Sequence, residues 1–129
     1  MATVVTNAGR AIVTNRIKGA GTEPLNIGWG TGAGTAAVAD TTLFTEALVN
    51  LTAGGTDHTA GTSTQQTTTV TSDTYQVVGT RAATGAGTVT NAGLWDAASG
   101  GNLFLKGDFV GIGLASGDSI IFTIKAVFA

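Results

Sequence analysis

The residues best suited to chemistry stand side by side at Asp57-His58, in the run GGTDHTAGT. A carboxylate beside an imidazole can orient the ring for proton transfer, with a nucleophile supplied from elsewhere. Serines are present at 63, 72, 99, 116 and 119, but none lies in a strand–elbow–helix context that would present its hydroxyl. His58 is the one histidine, so a second imidazole at helical spacing is lacking, and the absence of cysteine removes thiolate metal sites. Adjacency in sequence carries no geometry. Asp57-His58 therefore reads as a solvated or contact-making pair in a glycine–threonine loop.

The run NIGWGTGAGT, residues 26–35, places Gly28, Gly30, Gly32 and Gly34 at alternate positions. Gly32, Gly34 and Ala37 match the G-x-G-x-x-[GA] dinucleotide pattern formally. That pattern requires a helix opening directly on the turn and an acid-ended parallel strand beyond it. Here AAVADTT follows, broken at Asp40, and no lysine stands near the last glycine to serve a phosphate loop. The expectation is a strand ending in a loop against which something packs closely.

The acids Glu23, Asp40, Glu46, Asp57, Asp73, Asp96, Asp108 and Asp118 fall mostly in turn contexts. A glycosidase pair can be assembled from distant strands, but nothing in this spacing favours one. The loop GGTDHTAG has too few acids for calcium. Trp29 and Trp95 either form a sugar-stacking platform or belong to the core, and their apolar strand neighbours favour the core. KGD at 106–108 has the form of an adhesion tripeptide and, more simply, of a bend in a strand. No catalytic, cofactor-binding or metal residue is assigned.

The 129 residues suit one domain. Hydrophobic residues make up 43%, but charged residues only 11%, well below the usual share of about a quarter. Threonine, alanine and glycine fill the gap, which favours strands and leaves a surface weakly protected against association. The net charge is −2, and the basic residues Arg10, Arg16, Lys18, Arg81, Lys106 and Lys125 are scattered, so no nucleic-acid footprint is visible. No apolar run approaches the roughly 20 residues of a membrane span. The opening MATVVTNAGRAIVTN lacks the pattern of a secretory leader, and the expectation is a soluble protein made in a cytoplasm.

These residues must be positioned by strands. In DSIIFTIKAVF, Ile120, Phe122, Ile124, Ala126 and Phe128 share one face, with Thr123 and Lys125 on the other. NLFLKGDF places Leu103, Leu105 and Phe109 together, and TVTNAGLW places Val89 with Trp95. The turn DAASGGN joins these two into a hairpin. TSDTYQVVGTRA and LNIGW read as further strands, the first packing through Tyr75 and Val77. Residues 52–69 form an exposed loop or a polar strand. DTTLFTEALVNL, 40–51, suits one or two helical turns capped by Asp40 or Thr41. TNAGRAIVTNRIKG carries helix signals, although Arg16 interrupts the face of Ile12, Val13 and Ile17; it is read as a helix or as an arm that orders against a neighbour. The pattern predicts a mainly β chain, an antiparallel sandwich or barrel.

Three segments, LNIGWGTGAGTAAVADTTLFTEA, VTNAGLWDAASGGNLFLKGDF and GDSIIFTIKAVF, together resemble a family of small tailed-bacteriophage virion proteins. The likeness covers residues 25–51 and 88–129. It implies a jelly-roll-like antiparallel β-sandwich over 25–129, preceded by a helix or arm over 1–24. It further implies a structural protein without cofactor or catalytic residues, of the capsid cement or decoration kind. Its partners would be the major capsid protein and copies of itself, as a homotrimer. Its place would be the outer capsid surface of the virion, after assembly in the host cytoplasm, with no nucleic acid or membrane bound. A tail, neck or fibre component is the alternative within that class. A carbohydrate-binding module using Trp29 or Trp95, and a small hydrolase using Asp57-His58, are the alternatives outside it.

Overall fold

Period-two burial carries most of this chain into strands. The computed structural model describes residues 2–129 and gives β1 (Thr3–Val5), α1 (Asn7–Ile17), β2 (Asn26–Gly30), β3 (Glu46–Ala47) and β4 (Thr59–Ala60). It continues with β5 (Thr62–Gln66), β6 (Thr74–Ala82), β7 (Gly87–Trp95), β8 (Leu103–Leu114) and β9 (Ser119–Val127). One sheet runs β1-β8-β7-β2-β3, with β4 sharing the outer edge of β2; the other runs β5-β6-β9. Every pairing is antiparallel. The architecture is the expected antiparallel β-sandwich with one short N-terminal helix.

The core lies between the sheets. Ile27 and Trp29 of β2 and Ala92 and Leu94 of β7 meet Val77, Phe122 and Ala126 of the smaller sheet. In β9 the expected register holds: Phe122 and Ala126 are buried, whereas Thr123 and Lys125 are exposed. Phe128 lies beyond the strand and is exposed. The β7–β8 hairpin closes through Gly100 and Gly101, both at positive φ (64° and 82°), where residues with a Cβ are strained. The Asp96 carboxylate accepts from the Asn102 N–H at 2.7 Å inside the same turn.

Three expectations need correction. First, in the β7–β8 hairpin Val89 does not share a face with Trp95, nor Leu103 with Leu105 and Phe109. The register shifts between Val89 and Asn91 and again between Leu94 and Trp95, so Val89 stays in the inter-sheet core while Trp95 joins Leu43 and Leu103 in a second cluster. Second, residues 40–51 are not helical. Thr45 and Leu51 take positive φ, and Thr31 and Gly32 donate to the carbonyls of Thr45 and Phe44, drawing this segment alongside the end of β2. Non-local ladder bonds win over a short local helix, whose nucleation is unfavourable.

Third, residue 24 is not a boundary between an arm and a sandwich. β1 pairs with β8 from Val5↔Leu105 to Thr3↔Gly107. Thr6 caps α1 by accepting from the Gly9 N–H at 2.9 Å, and its hydroxyl donates to the Leu103 carbonyl at 2.6 Å, fully buried. Gly9 rests against the backbone of Phe104, where a Cβ would collide with the carbonyl oxygen. The helix therefore belongs to the sandwich.

Candidate functional site

The Asp57-His58 pair comes apart in three dimensions. The His58 ring is fully buried, stacked on Trp95 with centroids 4.6 Å apart and planes 11° from parallel. Its Nδ1 donates to the Ala97 carbonyl at 2.9 Å, and its Nε2 lies 2.7 Å from Glu46 Oε1. With Nδ1 donating to a carbonyl, the second contact needs a proton between Nε2 and the carboxylate. One imidazole thus ties together β3, the entry to β4 and the β7–β8 turn. Gly28 makes the room: a Cβ there would lie 2.9 Å from the ring and 3.0 Å from Trp95 Nε1. Asp57 turns away, toward Arg81.

The expectation of a histidine either solvated or making a contact is corrected on the first count, because the hairpin turn and β3 close over the ring. Both ring nitrogens are engaged, and no serine is among their partners in the described residues. The arrangement fastens β3 and the β7–β8 turn to the entry of β4. His58→Ala is accordingly expected to destabilise by about 1–3 kcal/mol, since it leaves the Ala97 carbonyl and Glu46 without their partner. Urea denaturation would show this, and a neutral result would place the ring in solvent.

Two cations that look like scattered surface charge are also buried, each 1% exposed. Arg81 on β6 faces inward beneath Trp29, its guanidinium carbon 4.9 Å from the ring centroid. It donates to Thr59 Oγ1 at 2.8 Å and to the Asp57 carbonyl at 3.0 Å, with Asp57 Oδ2 at 3.4 Å. Burial draws its pKa down from the ordinary arginine value, and Asp57 opposes that. Lys106 on β8 points to the opposite face of the larger sheet. Its Nζ donates to Asp40 Oδ2 at 3.0 Å and to the Thr42 carbonyl at 2.8 Å, and lies 3.2 Å from the Phe44 ring centroid. KGD is consequently not displayed as an adhesion motif.

These contacts explain the glycines. After β2 the loop turns back over the sheet, and Phe44 packs on it: a Cβ at Gly34 would stand 2.6 Å from that ring. Four N–H groups of this loop have internal partners. Thr31 and Gly32 donate to carbonyls, Ala36 to Asp108 at 2.7 Å and Ala37 to Asp40 at 2.9 Å. Two of those N–H groups are held by the chain's own carboxylates, Asp108 and Asp40. Trp29 and Trp95 are both buried, as their apolar neighbours suggest.

Three carboxylates sit below the usual range. Asp40 is held there first by the Ala37 N–H and then by Lys106, Asp108 first by the Ala36 N–H, and Asp73 first by the N–H of Val70. A carboxyl whose folded pKa is depressed contributes stability that is fully present above its unfolded pKa, near 4, and lost as pH falls through the folded value. Stability is therefore expected to hold with respect to these groups from neutrality to about pH 4 and to decline below it. Urea midpoints measured against pH would check this, and Asp73→Asn should flatten the acid limb.

The remaining candidate is a surface. Along β5, β6 and β9 the outward positions include Thr62, Thr64, Val78, Thr80, Ile121, Thr123 and Val127, all exposed. Ile121 is 70% exposed, and Lys125 is the one charged side chain at the outward positions of these three strands. Sequence reasoning passed over this face, although the signal was present: Ile121 and Val127 are apolar at positions that alternation assigns to solvent. The face is nearly uncharged and carries exposed apolar side chains.

No group of three or more metal-ligating side chains occurs among the described residues, and no described helix is long and apolar enough to cross a membrane. No protein family, characterised protein or solved structure matches the chain.

Proposed function

We propose that this chain is a bacteriophage capsid cement protein that binds the outer shell of the head and bridges neighbouring major capsid proteins. The observation that carries the reading is the pairing of two features. The side chains best suited to chemistry are spent on internal fastening, and the outward face of β5–β6–β9 is almost free of charge. Threonine and small side chains lose little rotamer entropy when ordered at a contact. The face suits packing against copies of the chain, as a homotrimer. Binding only the assembled shell would stabilise that state by mass action, and contacts repeated over a lattice would hold through avidity.

Purified protein mixed with expanded heads is expected to co-sediment with them and to raise the temperature at which they rupture. Co-sedimentation with isolated tails instead of heads would move the chain to the tail or neck. Binding to neither would sink the structural reading.

A further inference from the structure

A single proton holds a junction together on the outer face of the larger sheet. The His58 ring is fully buried, with the Ala97 carbonyl at Nδ1 (2.9 Å) and Glu46 Oε1 at Nε2 (2.7 Å). A carbonyl and a carboxylate are both acceptors, whereas a neutral imidazole has one N–H. Both contacts therefore form only while the His58–Glu46 pair retains one proton more than a neutral ring beside a carboxylate. Without it, a nitrogen lone pair must face an oxygen.

The two contacts are not equally able to yield. The His58 N–H donates to the Ala98 carbonyl at 2.8 Å, and the Gly100 N–H to the Thr56 carbonyl at 3.0 Å. Asp57 and Ser99 form a bridge between these bonds, so the ring and Ala97 belong to one backbone-tied unit. Glu46 stands across from that unit on β3, a strand of only two residues, and its side chain is already 12% exposed. A second observation weighs against the closed junction. Trp95, stacked on the ring, has its Nε1 buried with no hydrogen-bond partner among the described residues. That donor lies on the Nε2 side of the ring: a Cβ at Gly28 would stand 3.0 Å from it and 2.9 Å from His58 Cδ2, the neighbour of Nε2. Water reaching it would favour an open seam.

We infer that His58 and Glu46 form a pH-operated latch. When the pair gives up its extra proton, Nδ1–H stays on Ala97, the Nε2 lone pair faces the carboxylate, and Glu46 swings to water. The seam between β3 and the β7–β8 turn then opens beside Trp95. The other charged groups around the ring are engaged elsewhere. Asp57 turns to Arg81, whose charge also reaches Glu46, and Asp96 accepts from the Asn102 N–H. Beneath the ring β2 contributes only Gly28, which carries no charge. The latch goes beyond the cement reading and does not depend on it.

The test uses the full, isotope-labelled chain and NMR from about pH 5 to about pH 9, the range in which histidines commonly titrate. His58 is the one histidine, so its ring signals are unambiguous. At the acid end both ring nitrogens should carry protons; as pH rises, Nε2 should lose its proton and Nδ1 keep its own. Over the same range the Trp95 indole N–H should exchange with water about tenfold faster or more, after correction for intrinsic pH dependence. The Trp29 indole, which donates to the Leu48 carbonyl, is the internal control and should stay protected. In Glu46→Gln the side-chain amide can donate to a neutral Nε2 while Nδ1 donates to Ala97. Both ties then hold without the extra proton, and Trp95 should stay protected throughout. An unprotonated Nε2 at the acid end, or loss of the proton from Nδ1 in its place, overturns the inference. So does Trp95 exchange that fails to follow the ring titration. Equal opening in Glu46→Gln overturns it in favour of a general alkaline loosening. The wild-type ring and indole signals judge the latch even where the variant does not fold.

Discussion

Asp40→Ala is expected to lower stability by about 3–5 kcal/mol, the usual consequence of stranding one member of a buried ion pair. Lys106 is 1% exposed, and without Asp40 its ammonium would keep only the Thr42 carbonyl and the Phe44 ring. The reverse change should be far milder. In Lys106→Met the stem volume is retained, and the Asp40 side chain, 24% exposed, still reaches water and the Ala37 N–H. A loss of about 1–2 kcal/mol is expected there, from the weakened tie between the 31–45 loop and β8. Guanidinium denaturation of the three proteins settles the order. Equal losses would mean that water reaches the ammonium and that the loop is not sealed over the sheet.

Trp29→Ala is the second large effect, also about 3–5 kcal/mol. Its side chain is fully buried in the inter-sheet core, covers the Arg81 guanidinium, and donates from Nε1 to the Leu48 carbonyl at 3.0 Å. Removing it opens a cavity beside a buried cation, which water would enter. Trp29→Phe keeps an aromatic cover and leaves the Leu48 carbonyl with its second donor, the Leu51 N–H, so a smaller loss of about 1 kcal/mol is expected from the one hydrogen bond removed. Phe128→Ala serves as the control: its ring is exposed, and the change should leave the denaturation midpoint nearly unmoved. A Trp29→Ala protein as stable as the Phe128→Ala protein would contradict the core placement.

The alternation in β9 was legible because its two faces meet different surroundings, core on one side and solvent on the other. In β2 both faces are covered, and Leu25, Ile27 and Trp29 were legible because only Asn26 and Gly28 alternate with them; the glycine turn after Trp95 was legible because a tight reversal demands positive φ locally. What alternation does not report is a second cover. The outer face of the larger sheet is roofed by residues 31–45 and the loop around 55–58, which are far from β8 in sequence, and by the adjoining 96–102 turn. Under that roof Lys106 and His58 are buried although their types and neighbours suggest solvent. Their partners, Asp40 and Glu46, are 66 and 12 positions away. The 40–51 segment was misread as helical for the same reason: its bonds go to the end of β2 and to Asn91, at distances no local propensity registers. The sequence by itself determined the mainly β sandwich, the register of its last strand and the core placement of both tryptophans, because those depend on local periodicity and side-chain size. Only the tertiary structure decided that the N-terminal segment is built into the sheet, that Asp57 and His58 part company, and that Arg81 and Lys106 are buried. Each of those follows from contacts between distant segments, where the low dielectric of a shared interior makes a charge choose its partner by position in space and not by its place in the chain.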